Sequence, residues 1–202
     1  AFNMAVSVPQ DGLGLANLYG GRDQLADKLD TIFTTDGGYI GYGAMDGVGG
    51  IHEQREAREV KLGQYGHSNQ PAHHIPYMYL YSSRPWETQK YVRDILARCY
   101  AGSTFGQGYI GDEDNGEMSA WYVLSSIGFY PLSMGNDEFA IGSPQFEEVT
   151  VNLEGNKKLV IKANNNSREN VYVDSMYVNG EKYDKTFIKY EDLIKGGTIE
   201  FN

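Results

Sequence analysis

Hydrophobic and polar positions fall into two textures along the chain. In the first two thirds, apolar residues recur at helical spacing and glycines separate the segments. The spacing predicts a short apolar helix from Asp11 to Tyr19, closed by Gly20-Gly21. An amphipathic helix follows from Asp23 to Phe33, with Leu25, Leu29, Ile32 and Phe33 on one face. Seven glycines from Gly37 through Gly50 predict a loop that folds tightly or closely approaches a ligand. Ile51 to Tyr65 reads as a polar helix, and His73 to Ser82 as a buried one with aromatic residues on most sides. Pro85 suits the first position of a helix running from Trp86 to Tyr100. A last helix is predicted from Gly116 to Phe129, ended by Pro131.

From about Glu138 the period changes to two. Val149–Leu153 and Leu159–Ala163 read as strands joined at Gly155-Asn156. Val171–Val173 and Met176–Val178 continue the pattern, and Asn179-Gly180 is a hairpin turn signal. Tyr190–Ile194 reads as a helical turn before a final strand from Thr198 to Phe201. The expected fold class is α+β: a helical region followed by a small antiparallel β region, with the seam near residues 132–138.

Composition narrows the function classes. The 202 residues suffice for one large domain, or one with a smaller companion. At 41% apolar and 22% charged, the chain can bury a core. A net charge of −10 argues against nucleic acid, which needs clustered Lys and Arg, and against an anionic membrane surface. No run approaches the ~18 apolar residues of a membrane span. Cys99 is the single cysteine, so no internal disulfide forms, and its helical setting predicts a buried, inert thiol. The chain opens on Ala1, which fits either processing or a piece of something longer. Sixteen tyrosines offer flat faces with polar tips that suit sugars, although most are expected to pack at core edges.

Three clusters carry candidate chemistry. The first is Gly111-Asp112-Glu113-Asp114-Asn115-Gly116-Glu117, directly before an apolar helix pattern. Like charges this close repel and raise one another's pKa, so a fold that uses them applies them to a metal, a proton transfer or a polar ligand. The plainer alternative is a solvated turn whose carboxylates complement the positive start of a helix. The spacing fails the calcium EF-hand pattern, because Gly116 is the fifth position and no Glu stands at the twelfth. The second cluster is His67-Ser68-Asn69-Gln70-Pro71-Ala72-His73-His74. Its adjacent histidines diverge and form no zinc spacing. Asn69 and Gln70 offer amide oxygens to a hard cation or to sugar hydroxyls, and Asn69 equally suits a helix cap. The third is His52-Glu53, which either bonds a polar ligand or is a solvated first turn.

Taken together these segments resemble a known family. Gly111 through Tyr122, then Gly128-Phe129-Tyr130-Pro131 and Gly142-Ser143-Pro144, are similar to the signature of family 92 glycoside hydrolases, bacterial exo-acting α-mannosidases. Ser68-Asn69-Gln70-Pro71, His73–Tyr77, Pro85–Gln89 and the β tail match in order, so the resemblance covers essentially the whole chain. It implies calcium-dependent, inverting hydrolysis of α-mannosides in mannose-containing glycans, by a periplasmic or secreted bacterial enzyme. Carried over by position, Asp114 matches the general base and Asp112 its partner. His52 and Glu53 resemble a pair associated with α-1,2-linked mannose. Asn69 and Gln70 lie near calcium and sugar, and many members have Glu where this chain has Gln70. The family's general acid is a Glu just before a segment like Ala1–Gly12. The resemblance thus implies the C-terminal part of a longer enzyme. Residues 1–134 would supply the last helices of an (α/α)6 barrel and residues 135–202 a closing β region. On its own the chain would then be inactive, its apolar faces exposed or covered by oligomer contacts. The competing expectations are a carbohydrate-binding module without catalysis, and a structural helical domain with a β cap.

Overall fold

The computed structural model describes residues 2–36, 52–100 and 108–202. The glycine-dense stretch after Asp36 therefore lies outside the described residues. Helix α1 (Gly12–Tyr19) starts where Asp11 accepts a hydrogen bond from the Gly14 amide at 2.8 Å, and it stops at Gly20 in the left-handed conformation. Helix α2 (Arg22–Thr34) buries Leu25, Ala26, Leu29, Ile32 and Phe33, the face that the periodicity predicts. Helix α3 (His52–Glu59) is shorter than expected. The chain leaves it through Lys61 and Gly63, both at positive φ.

The segment predicted as one helix from His73 to Ser82 is instead a pair of 3₁₀ helices, Gln70–Ala72 and Ile75–Tyr81. Pro71 and Pro76 stand at their starts and supply no amide donor. Asn69 occupies the cap position, but its side chain makes no capping bond. The second of these helices is buried from Ile75 to Leu80 and threads the core. Helix α4 (Glu87–Cys99) begins after Trp86, so Pro85 lies before the cap rather than at the first helical position. Helix α5 (Glu117–Ile127) ends at Gly128, whose φ of 98° terminates it before Pro131 is reached. Phe129 and Tyr130 are already strand.

Strands β1 (Phe129–Tyr130), β2 (Glu138–Ile141), β3 (Glu148–Asn152), β4 (Lys158–Ala163), β5 (Met176–Val178), β6 (Glu181–Lys182) and β7 (Phe187–Lys189) lead to the short helix α6 (Tyr190–Leu193) and β8 (Gly197–Phe201). They form a three-stranded sheet, β1-β2-β7, and a five-stranded sheet, β3-β4-β8-β5-β6. The expected antiparallel region is mixed, because β4 and β8 pair in parallel. Val171–Val173 is not a strand: the Val173 amide donates to the Gln89 side chain on α4 at 2.9 Å.

Among the described residues, two apolar cores result. One gathers the helices around Leu25, Ile32, Tyr79, Ile95 and Trp121, and the other gathers the sheets around Leu159, Ile161, Met176, Ile199 and Phe201. Arg93 of α4 stitches helices to sheets, donating to the Pro144 carbonyl at 2.6 Å, to Asn166 at 2.6 Å and to the Ser167 carbonyl at 2.7 Å. Met4, Leu13 and Leu18 stay exposed on the N-terminal helices. Cys99 is buried, and burial pushes its thiol up to about 12, so it is the inert group expected. Among the described residues, no helix is long and apolar enough to cross a membrane.

Candidate active site

The acidic turn connects the end of the 108–111 segment to α5. Asp114, Asn115 and Gly116 are consecutive residues at positive φ (50°, 58° and 98°). Asp and Asn tolerate this region better than most residues because their short polar side chains bond locally. The Glu117 amide bonds the Asp114 carbonyl and the Met118 amide bonds the Glu113 carbonyl, each at 3.2 Å, which closes the turn onto the helix. Asp112 and Asp114 are exposed. Glu113 folds back instead, its Oε1 accepting from the Ser119 amide at 3.3 Å.

The neighbouring 66–74 segment supports the turn. Gly111, at φ 72°, lies against Ser68, where an added Cβ would sit 2.5 Å from the Ser68 Cβ. The Gln70 Nε2 donates to the Asp112 carbonyl at 2.6 Å. This bond needs an amide donor, which a Glu at position 70 would lack. The structure thus brings Gln70 to Asp112, as the two sequence clusters require if they serve one site.

Below the turn lies a layer of histidines and aromatic rings. His67 is fully enclosed: its Nδ1 lies 2.8 Å from the Tyr65 hydroxyl and its Nε2 2.7 Å from the Tyr100 hydroxyl. Tyr100 in turn donates to the Met118 carbonyl at 3.1 Å. Every bond is satisfied if Tyr65 donates to His67, His67 to Tyr100 and Tyr100 to Met118, with a neutral ring protonated at Nε2. Burial, with a smaller effect from His73, holds the His67 pKa well below the usual histidine range and favours that neutral form.

His73 differs. Its Nε2 faces the His67 carbonyl at 3.0 Å, and a carbonyl only accepts. Its Nδ1 faces the Glu117 carboxyl at 3.2 Å. Both bonds form only if the ring is charged or Glu117 carries the proton, so one proton bridges the pair. Burial lowers the His73 pKa, and the Glu117 carboxylate opposes that shift. The rings of His67 and His73 stack at 4.5 Å, and the Trp121 indole donates to the His73 carbonyl at 3.2 Å.

The remaining candidates are placed less centrally. His52 is largely exposed and contacts its own helix, with Nε2 3.4 Å from Glu53 and Nδ1 3.4 Å from Glu56. Glu53 borders the supporting segment, its Cβ 3.9 Å from where a Cβ on Gly66 would stand. Asn69 is exposed beside Gln70. Among the described residues, three buried side-chain oxygens lack hydrogen-bond partners: Glu53 Oε2, Ser68 Oγ and Glu113 Oε2. Each belongs to one of the three sequence clusters. A groove of about 890 Å³ lies elsewhere, between α4 and the β region, lined among others by Lys90, Arg93, Gln145 and Arg168. No residue of the acidic turn lines it.

Sequence reasoning missed the His73–Glu117 pair and the donor role of Gln70. The one signal pointing to them was the prediction that the stretch beginning at His73 is buried, because a buried polar ring needs partners.

The arrangement is an α+β unit that presents exposed carboxylates on a turn fixed from beneath. The chain belongs to glycosyl hydrolase family 92: the family's catalytic-domain model matches residues 1–202. The family GH92 alpha-mannosidase BT3965 of Bacteroides thetaiotaomicron is similar at 35% identity and a TM-score of 0.79, over 96% of this chain and 23% of that one. The family GH92 inverting mannosidase BT2199 of the same organism is similar at 35% identity and a TM-score of 0.81, over 100% of this chain and 27% of that one. A protein of Arthroderma benhamiae, named an uncharacterized secreted glycosidase, is 27% identical over 96% of this chain and 22% of its own length. The chain therefore spans about a quarter of the length of the relatives it matches.

Proposed function

We propose that this chain is the base-bearing part of a secreted or periplasmic, inverting exo-α-mannosidase that removes α-1,2-linked mannose from glycans. Residues 1–134 would complete an (α/α)6 barrel and residues 135–202 would form its closing β region. The observation that carries the reading is the turn itself. In a family 92 catalytic domain, Asp112 and Asp114 are exposed on a left-handed turn, and Gln70 and His73 brace it from beneath. Two relatives are named as α-mannosidases or mannosidases, one of them inverting, and another is named as secreted.

In this mechanism Asp114 takes a proton from water as the water oxygen bonds to the anomeric carbon. The bond from that carbon to the leaving oxygen breaks, and that oxygen takes a proton from an acid on the opposite sugar face. Asp112 beside Asp114 orients the water. Inversion needs roughly 6.5–9.5 Å between acid and base, with water between them. Glu113 bonds back to Ser119 and Glu117 pairs with His73, so neither faces the base across a sugar. The acid would come from the N-terminal remainder of the enzyme. His52 and Glu53 would contact the mannose in the neighbouring subsite.

The donor chemistry near the turn suits calcium better than zinc. Asn69 and Gln70 carry amide oxygens, the partnerless Ser68 Oγ is adjacent, and all are hard oxygen donors. Among the described residues, no three His, Cys, Asp or Glu side chains group closely enough to hold a metal. Asn69 and Gln70 would therefore contribute to a shared site rather than build one. When bound there, calcium would hold the mannose hydroxyls and favour ring distortion.

The test compares the full-length protein with the isolated 202-residue chain on α-1,2-mannobiose. The full-length protein should release mannose and the isolated chain none. Hydrolysis by the isolated chain would place an acid within it. A full-length protein that binds mannose in calorimetry but turns over no mannoside would be a carbohydrate-binding module.

A further inference from the structure

We propose that His73 is a positioning residue, which sets the Asp112–Asp114 turn by gripping Glu117. The proposal rests on the functional reading above and adds a part to it.

Glu117 joins the base turn to the helix behind it. Its backbone amide bonds the Asp114 carbonyl at 3.2 Å, and its side chain bonds the His73 Nδ1 at the same distance. The Glu117 side chain is therefore linked, through its own backbone and one hydrogen bond, to the residue proposed as base. The partner ring is held on every side. Its Nε2 bonds the His67 carbonyl, its face stacks on His67, and its own carbonyl takes the Trp121 indole hydrogen. His73 is 1% exposed, whereas the Glu117 side chain is 45% exposed. A surface carboxylate is thus tied to an immobile buried anchor, 44 residues away in sequence.

The anchor offsets strain in the turn. Asp114 and Asn115 both sit in the left-handed region, which Asp and Asn tolerate better than most residues but which still carries a cost that surrounding structure must offset. Gln70 holds the leading end through the Asp112 carbonyl, and the His73–Glu117 pair holds the trailing end. Asp112 and Asp114 lie between these two holds with their side chains exposed, and catalysis by a base is sensitive to misplacement on the ångström scale.

The experiment uses the full-length enzyme with an α-mannoside. Glu117→Ala should lower kcat about 10- to 100-fold while KM and Tm stay close to wild type. Glu117→Gln should recover most of the loss, because its amide donates to a neutral His73 Nδ1. His73→Gln should lower kcat similarly, and adding Glu117→Ala to it should cost little more, as expected for residues acting as one unit. If the buried variant fails to fold, the two Glu117 variants still decide the matter. A kcat for Glu117→Ala within about two-fold of wild type, or a Gln variant as impaired as Ala, overturns the proposal. Asp114→Asn, measured alongside, separates the two ideas. An inactive Asp114→Asn beside a normal Glu117→Ala removes the positioning role alone. A normal Asp114→Asn removes the base reading, and the positioning role with it.

Discussion

Asp114→Asn in the full-length enzyme is expected to lower kcat about 10²- to 10⁴-fold, the range a positioned general base contributes. The substitution isolates chemistry from folding. Asp114 is exposed and at φ 50°, and Asn adopts that conformation as readily as Asp. The Asp114 carbonyl, which closes the turn with the Glu117 amide, is unchanged by the substitution. Stability should therefore hold while turnover collapses, with KM little altered because the lost interaction belongs to the transition state. Steady-state kinetics with a thermal melt on the same sample checks this. Near-normal kcat would show that the acidic turn is only a solvated helix start.

Trp121→Ala should have the largest effect on stability, about 3–5 kcal/mol. The indole is fully buried on α5, stacks on Tyr100 at 5.7 Å and meets His67 edge-on at 4.5 Å. Its removal opens a cavity too enclosed to collapse easily. It also leaves the His73 carbonyl without its donor, and a buried unpaired acceptor carries its own penalty. Chemical denaturation of the full-length protein followed by circular dichroism measures the loss. A change below about 1 kcal/mol would mean that the layer under the turn is not packed as described.

Local signals account for much of this architecture. The face of α2 follows from Leu25, Leu29, Ile32 and Phe33, and the β5–β6 hairpin follows from Asn179-Gly180, both at positive φ. Elements set by distant partners were not legible. The 70–81 segment has the apolar content of a helix, but Pro71 and Pro76 and its burial among α1, α2 and α4 leave it as 3₁₀ turns. The parallel β4–β8 pair depends on strands far apart in the chain, and no hairpin signal can announce it. The candidate site divides along the same line. Asp112 and Asp114 declare themselves by their spacing, whereas the bonds that hold them, Gln70 to Asp112 and His73 to Glu117, span 42 and 44 residues. Periodicity reports a residue's face and not its partner. The resemblance grouped these segments, and the contact of Gln70 with Asp112 follows only from the donor geometry of its amide.

In the proposed mechanism a water activated by Asp114 attacks the anomeric carbon directly, which fixes the stereochemistry of the product. Proton NMR of the full-length enzyme's reaction with an α-mannoside, read within the first minutes, measures it. β-Mannose is expected as the first product, later mutarotating to the equilibrium mixture. Initial release of α-mannose would mean a covalent intermediate and a carboxylate nucleophile, and would contradict the role assigned to Asp114.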